Sequence, residues 1–132
     1  KRLGAHQFIL TSDEAQIKKV TGYFDFILDT VSADHDYNSY LALLRSSGTM
    51  VCVGLPTTPA QIPMFNLVFG RKSIAGSLIG GLPETQEMLD FCAEHNIVSD
   101  IEIIAMKDIN TAYERLEKSD VKYRFVIDMA TL

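Results

Sequence analysis

Short apolar runs alternate with amphipathic helical stretches along these 132 residues, and that alternation predicts an α/β fold with a largely parallel sheet. Two further observations support it. The run Phe26-Ile27-Leu28 lacks the polar alternation of a one-sided sheet, which predicts a strand buried on both faces. After it, Tyr37, Tyr40, Leu41 and Leu44 fall at i, i+3, i+4 and i+7, one stripe of a helix.

The remaining elements follow in order. Lys1-Arg2-Leu3-Gly4-Ala5 reads as a helix end stopped by Gly4, so the chain begins in mid-architecture. Phe8-Ile9-Leu10 is a short strand, Ala15 to Val20 a short helix and Phe24 to Thr30 a strand. Asp34 or Asp36 caps the Tyr37 helix, and Gly48 ends it. Thr49 to Val53 is a strand closed by Gly54 and Pro56. Beyond a loop with Pro56, Pro59 and Pro63 come a short helix, Phe65 to Phe69, and a strand, Ile74 to Ile79. The breakers Gly80, Gly81 and Pro83 mark a hinge or domain border. Past it lie a helix from Glu84 to His95 with Asn96 as its stop, a strand from Ile101 to Ile104, a helix capped by Asp108, and a last strand from Tyr123 to Asp128.

Composition narrows the function classes. A net charge of −5 with scattered Lys and Arg offers no field for a phosphate backbone, so nucleic acid is not an expected partner. Apolar runs fall short of the ~20 residues a membrane helix needs, and the N-terminus lacks a secretory layout, which together predict a soluble cytoplasmic protein. Cys52 and Cys92 read as small buried thiols; neither has a second Cys or a His at metal-ligand spacing, so no zinc site is expected among these residues. There is no G-x-S-x-G elbow, and His6, His35 and His95 read as solvated surface or loop residues. Asp13-Glu14 and the pair Glu84 and Glu87 sit at helix starts, where acidic groups meet the helix dipole.

In an open parallel sheet ligands bind outside the carboxyl ends of the strands, which directs attention to Thr30 to Ser32, Val53 to Pro56 and Ser77 to Gly81. Glycine in such loops lets a ligand lie against the backbone, but Gly54, Gly80 and Gly81 would equally serve only to turn the chain. Spacing does not separate the two.

Two stretches carry a family resemblance. One runs Gly70-Arg71-Lys72-Ser73-Ile74-Ala75-Gly76-Ser77-Leu78-Ile79-Gly80-Gly81 and continues as Glu84-Thr85-Gln86-Glu87-Met88-Leu89-Asp90-Phe91-Cys92. The other covers Ile109-Asn110, Tyr113-Glu114-Arg115-Leu116 and Asp120-Val121-Lys122-Tyr123-Arg124-Phe125-Val126-Ile127-Asp128. Both resemble the cinnamyl alcohol dehydrogenase branch of the zinc-type medium-chain alcohol dehydrogenases, and bacterial aldehyde reductases of that branch are as similar. The likeness extends from Leu3 to Asp128.

The resemblance implies a partial Rossmann doubly wound parallel sheet plus a C-terminal piece of a catalytic domain. Residues 1–80 would be the later part of the cofactor domain and residues 81–132 the catalytic piece. It implies that Thr30, Val31, Val53, Gly54, Leu55, Ser77, Leu78 and Ile79 face the nicotinamide half of NADP, that Leu78 and Ile79 also border the substrate pocket, and that Arg124 meets the cofactor pyrophosphate. The reaction implied is hydride transfer between NADP(H) and an alcohol or aldehyde. The family's zinc ligands and glycine-rich turn correspond to positions upstream of Lys1, so the chain reads as a fragment, inactive by itself, with no catalytic or metal residues of its own. Its sheet would lack the two strands expected between the Phe8 and Phe24 runs. A homodimer through the strand Ile74 to Ile79 is implied as well. The competing reading is a non-catalytic dimerisation or nucleotide-binding module derived from the same family.

Overall fold

The computed structural model describes residues 3–132; Lys1 and Arg2, where the predicted helix end begins, lie outside them. Gly4 has a φ of 89°, open to glycine and strained for other residues. The chain forms two compact units, one ending at Ile79 and the other spanning Gly80–Leu132.

The first unit is built on a parallel sheet. Helix α1 is Glu14–Lys19, β1 Phe24–Asp29, α2 Tyr37–Leu43, β2 Leu44–Cys52, α3 Met64–Val68 and β3 Ser73–Gly76. The strand order is β1-β2-β3. Local chemistry starts the helices. The Asp13 side chain accepts from the Ala15 and Gln16 amides, and Gln16 Nε2 returns a hydrogen bond to Asp13 Oδ2 at 2.7 Å. Of the two candidate caps for α2, Asp36 is the one used, accepting from the Asn38 and Ser39 amides.

The core lies between α2 and one face of the sheet. Tyr37, Leu41, Leu44 and Met50 are buried together, with Phe24, Ile27, Leu67 and Ile74 packed around them. The expectation of a strand covered on both faces is corrected here. Successive side chains of β1 point to opposite faces, and among the described residues only the α2 side is covered, leaving Phe26 and Leu28 each 54% exposed.

Several element boundaries differ from the sequence reading; β3 stops at Gly76 where the sequence predicts a strand to Ile79, because the ladder with β2 ends at the Cys52–Gly76 pair. Helix α2 ends at Leu43, and Leu44 turns extended instead of continuing the stripe to Gly48. The helix end is held from outside: the Gly22 and Tyr23 amides donate to the Ala42 and Leu43 carbonyls, and Lys72 Nζ donates to the Leu41 carbonyl at 2.6 Å. These partners satisfy carbonyls that a continuing helix would have used. Leu44 remains in the core, now as the first residue of β2. Phe8-Ile9-Leu10 is not a strand, because no strand among the described residues hydrogen-bonds to it, and extended backbone becomes sheet only by pairing.

The second unit is a β-α-β crossover preceded by a helix. Helix α4 is Leu82–Glu94, β4 Glu102–Ala105, α5 Ile109–Glu117 and β5 Phe125–Asp128, with β4 and β5 paired in parallel. Glu84 accepts from the Gly81 amide at 2.8 Å and opens α4, while Asn96, at φ 53°, closes it. Asp108 precedes α5 but makes no side-chain cap, since a one-turn helix over Met106–Asp108 already leads into it. Arg115 ties the crossover together: Nη2 meets Glu102 at 2.8 Å, Nε meets Asp120 at 3.0 Å, and the guanidinium lies over the Phe125 ring. Among the described residues no helix is long and apolar enough to cross a membrane.

Because Met50 is fully buried and Phe26 lies on the uncovered face, their truncations should differ sharply. Met50→Ala is expected to cost about 2–5 kcal/mol and Phe26→Ala well under half of that, read from urea unfolding followed by circular dichroism. Equal losses would contradict the one-sided core.

Candidate functional site

Parallel pairing in register places three strand ends side by side. Asp29 is opposite Cys52, and Cys52 is opposite Gly76, so Thr30, Val53 and Ser77 leave the same end of the sheet. The hydrogen-bond ladder continues past the strands. Val53 and Gly54 amides donate to the Asp29 carbonyl at 2.9 and 3.3 Å, and the Ser77 amide donates to the Cys52 carbonyl at 3.1 Å.

Seen from that end, Val31 and Gly54 are in backbone contact. A Cβ on Gly54 would stand 2.2 Å from the Val31 carbonyl oxygen, well inside any real contact, so this glycine is required by the close approach of two loops. Around them lies an exposed apolar strip made of Val31, Val53, Leu55, Leu78 and Ile79, the last two 90% exposed. Thr30 and Ser77 supply hydroxyls at the same edge, both exposed. Eight of the nine residues singled out from sequence therefore sit at one end of one sheet.

Arg124 is the ninth and belongs to the second unit. It precedes β5, its carbonyl accepting from the Glu102 amide at 3.0 Å, and its exposed side chain borders a groove of about 270 Å³ walled by Ile104, Ile109, Tyr113 and Ile127.

The sequence reading missed the group that organises these tips. Asp29 is 7% exposed, and its carboxylate accepts from the Val31 amide at 3.0 Å and faces His35 Nε2 at 3.0 Å. The other ring nitrogen of His35 faces the Ala33 carbonyl at 2.8 Å. The ring rests on Tyr37 at 4.4 Å between centroids and meets the edge of Tyr40 at 5.5 Å. The Ala33 carbonyl holds the His35 pKa above its usual value; the Asp29 charge adds to this, and burial opposes both. No motif announces this pair, since an Asp and a His six residues apart across a loop carry no fixed spacing rule.

Cys52 lies beside the pair at the end of β2, half-buried like Cys92 and less enclosed than the sequence suggested. Burial, helped by the Asp29 charge, pushes the Cys52 thiol up, which keeps it protonated and unreactive. Among the described residues no three His, Cys, Asp or Glu side chains stand together as a metal site.

The contact at Gly54 is directly testable. Gly54→Ala is expected to shift the amide resonances of Val31 and Ser32 and to cost about 1–3 kcal/mol, because backbone has to move. Gly76→Ala, whose Cβ would meet nothing nearer than 3.9 Å, should leave those amides in place.

Comparison with known proteins places this arrangement. Residues 1–94 match the family described as zinc-binding dehydrogenase. The chain is 57% identical over 129 residues to cinnamyl alcohol dehydrogenase 2 of Arabidopsis thaliana, covering 98% of this chain and 34% of the relative. It is 59% identical over 128 residues to probable mannitol dehydrogenase 1 of Stylosanthes humilis, covering 97% and 36%. Among solved structures it is similar to a cinnamyl alcohol dehydrogenase of Sorghum bicolor, with a TM-score of 0.89 at 49% identity over 98% of this chain and 36% of that one. A second is CAD from Helicobacter pylori, solved in complex with NADP(H), with a TM-score of 0.71 at 41% identity over 86% of this chain and 34% of that one. The chain thus spans about a third of the length of the curated relatives it matches. Its parallel strands and helices form part of the Rossmann-like alcohol dehydrogenase fold. By family match, by identity to its relatives and by the arrangement of its sheet, the chain belongs to the zinc-binding dehydrogenases, a family of alcohol oxidoreductases.

Proposed function

We propose that this chain is part of a cytoplasmic oxidoreductase that moves a hydride between NADP(H) and an alcohol or aldehyde, and that its first unit holds the nicotinamide end of the cofactor. The observation that carries this reading is the in-register end of the sheet, where Asp29, Cys52 and Gly76 align and release three loops side by side. Ligands of open parallel sheets sit outside such carboxyl ends.

The residues present fit a flat, partly polar ring. Gly54 lets the first two loops pack backbone to backbone, and the Thr30 and Ser77 hydroxyls offer hydrogen bonds at the rim. Leu55, Leu78 and Ile79 provide apolar surface that would exclude water and border the alcohol or aldehyde. Bound NADP(H) would give or accept the hydride at nicotinamide C4. Arg124, a planar bidentate donor, is the candidate for the cofactor pyrophosphate. NADP as the cofactor is further supported by relatives: an NADP-dependent alcohol dehydrogenase C 1 of Mycolicibacterium smegmatis is 54% identical, and the Helicobacter pylori structure contains NADP(H).

The described residues do not fit a zinc centre. Among them no three ligand side chains come together. Any zinc of the family's chemistry would take its ligands from outside this chain, so the present residues contribute cofactor and substrate contacts only.

We also infer a homodimer through β3. This strand pairs with β2 on one side and is the sheet's edge on the other, and Ser73-Ile74-Ala75-Gly76 carries no charge to discourage pairing with a second copy. Light scattering of the full-length protein carrying this sequence should return a dimer; a monomer at all accessible concentrations would contradict the edge assignment.

For the cofactor reading, NADPH added to that protein should shift the amides of Thr30, Val31, Val53 to Leu55 and Ser77 to Ile79. An aromatic aldehyde should then be reduced at the expense of NADPH. Leu78→Ala is expected to lower kcat/KM for the aldehyde by about 10-fold with little change in NADPH affinity, the scale of one lost apolar contact. Binding of NADPH that leaves all three loops unperturbed would sink the assignment.

A further inference from the structure

We propose that Asp29 and His35 are positioning residues forming a proton-dependent latch: the buried carboxylate, shared between the Val31 amide and the His35 ring, fixes the backbone from Thr30 to Ala33 at the strand tips. The inference rests on the reading above only where it extends to the cofactor, because the latch itself stands on hydrogen bonds within the loop.

The geometry requires protons on both sides of the ring. His35 Nδ1 faces the Ala33 carbonyl at 2.8 Å, and a carbonyl only accepts, so Nδ1 carries hydrogen. His35 Nε2 faces Asp29 Oδ2 at 3.0 Å, and that contact also needs a proton, lying between nitrogen and carboxyl oxygen. Both contacts are satisfied at once when the ring is an imidazolium, the form that its raised pKa favours. Removing one proton leaves a single N–H for two acceptors, so a ring lone pair then faces either the Asp29 carboxylate or the Ala33 carbonyl, and one of the two ties is lost.

Three residues of the first loop depend on this carboxylate. Its Oδ1 accepts from the Val31 amide, its Oδ2 holds His35, and His35 in turn holds Ala33, so both ends of the Thr30 to Ala33 segment are tied to β1. The backbone carbonyl of the same residue receives the Val53 and Gly54 amides. Asp29 thus fixes the first loop with its side chain and the second with its main chain. The Val31 carbonyl against which Gly54 is packed belongs to the residue whose amide the latch holds.

The surroundings favour the protonated ring. Asp29 faces it from β1, Asp34 and Asp36 from the loop, Tyr37 and Tyr40 from α2, and Cys52 from the end of β2 adjoins Asp29. Asp36 is held below the usual carboxylate range, chiefly by the Asn38 amide, so it stays charged. A histidine whose folded pKa is raised contributes ordering that is complete below its unfolded pKa of about 6.5 and is lost as pH rises through the folded value. The latch is accordingly closed in mildly acidic solution and opens on the alkaline side.

The test uses the full-length protein carrying this sequence and NADPH as probe. Ring resonances of His35 should titrate above about 6.5, with the Val31 amide following the same midpoint, and Asp29→Asn should abolish the coupling. His35→Gln keeps an N–H donor toward Asp29 but does not titrate. The ratio of NADPH dissociation constants, wild type over His35→Gln, should rise by about 3- to 10-fold between about pH 6 and about pH 9. Taking the ratio cancels the titration of the cofactor's own phosphate. A His35 midpoint at or below the ordinary value with an unresponsive Val31 amide overturns the latch, and the wild-type titration decides this even if Asp29→Asn fails to fold. A flat ratio, with NADPH still shifting Thr30 to Ala33, overturns its effect on cofactor binding. Coupled titration with no NADPH effect on any of the three loops supports the latch and overturns the cofactor assignment instead.

Discussion

Two of the three loops at the candidate site are fixed from the Asp29 position, where β1 ends. Its main-chain carbonyl extends the ladder to Val53 and Gly54, and its buried carboxylate turns the following loop back through Val31 and His35. A carboxylate removed from water has to be partnered, and here the Val31 amide and the His35 ring meet that requirement. Building the strand end and partnering the buried charge are the same set of bonds.

The consequence is a division of labour within the first unit. Tyr37, Leu41, Leu44 and Met50 supply the burial that keeps α2 on the sheet, and none of them reaches the strand tips as exposed surface. The tips instead display Val31, Val53, Leu55, Leu78 and Ile79, apolar groups that a folded chain leaves in water only at some cost. Apolar side chains on a backbone frame held by hydrogen bonds suit a ring-shaped ligand that stacks and is gripped at its edge. Packing energy and the exposed apolar tips therefore reside in different residues, so the tips can vary without weakening the core.

The second unit solves a similar structural problem with charge. Arg115 crosses from α5 to Glu102 on β4, to Asp120 after the helix and over Phe125 on β5, so one planar side chain registers all parts of the crossover. With Ala112 as the buried residue of α5, there is little hydrophobic core to do this work. Its exposed groove beside Arg124 and the uncovered sheet face at Phe26 and Leu28 are surfaces of the same apolar character.

Local rules sufficed for much of the architecture. The alternation of apolar runs and helical stripes identified β1, β2 and both units' crossover helices, the Asp13 and Asp36 caps are short-range hydrogen bonds, and the stretch from Gly70 to Cys92 carried the family. Eight of the nine candidate residues lie at one end of one sheet because parallel strands release their loops at a common end. What tertiary structure decided was anything needing a distant partner. Leu44 left its helix because Gly22, Tyr23 and Lys72 hold the carbonyls there, and Phe8 to Leu10 has no strand partner among the described residues. His35 looked like a solvated loop residue until Asp29, Ala33 and two tyrosines closed around it. A sequence records which groups can donate, accept or be buried; only the folded chain determines which of them meet.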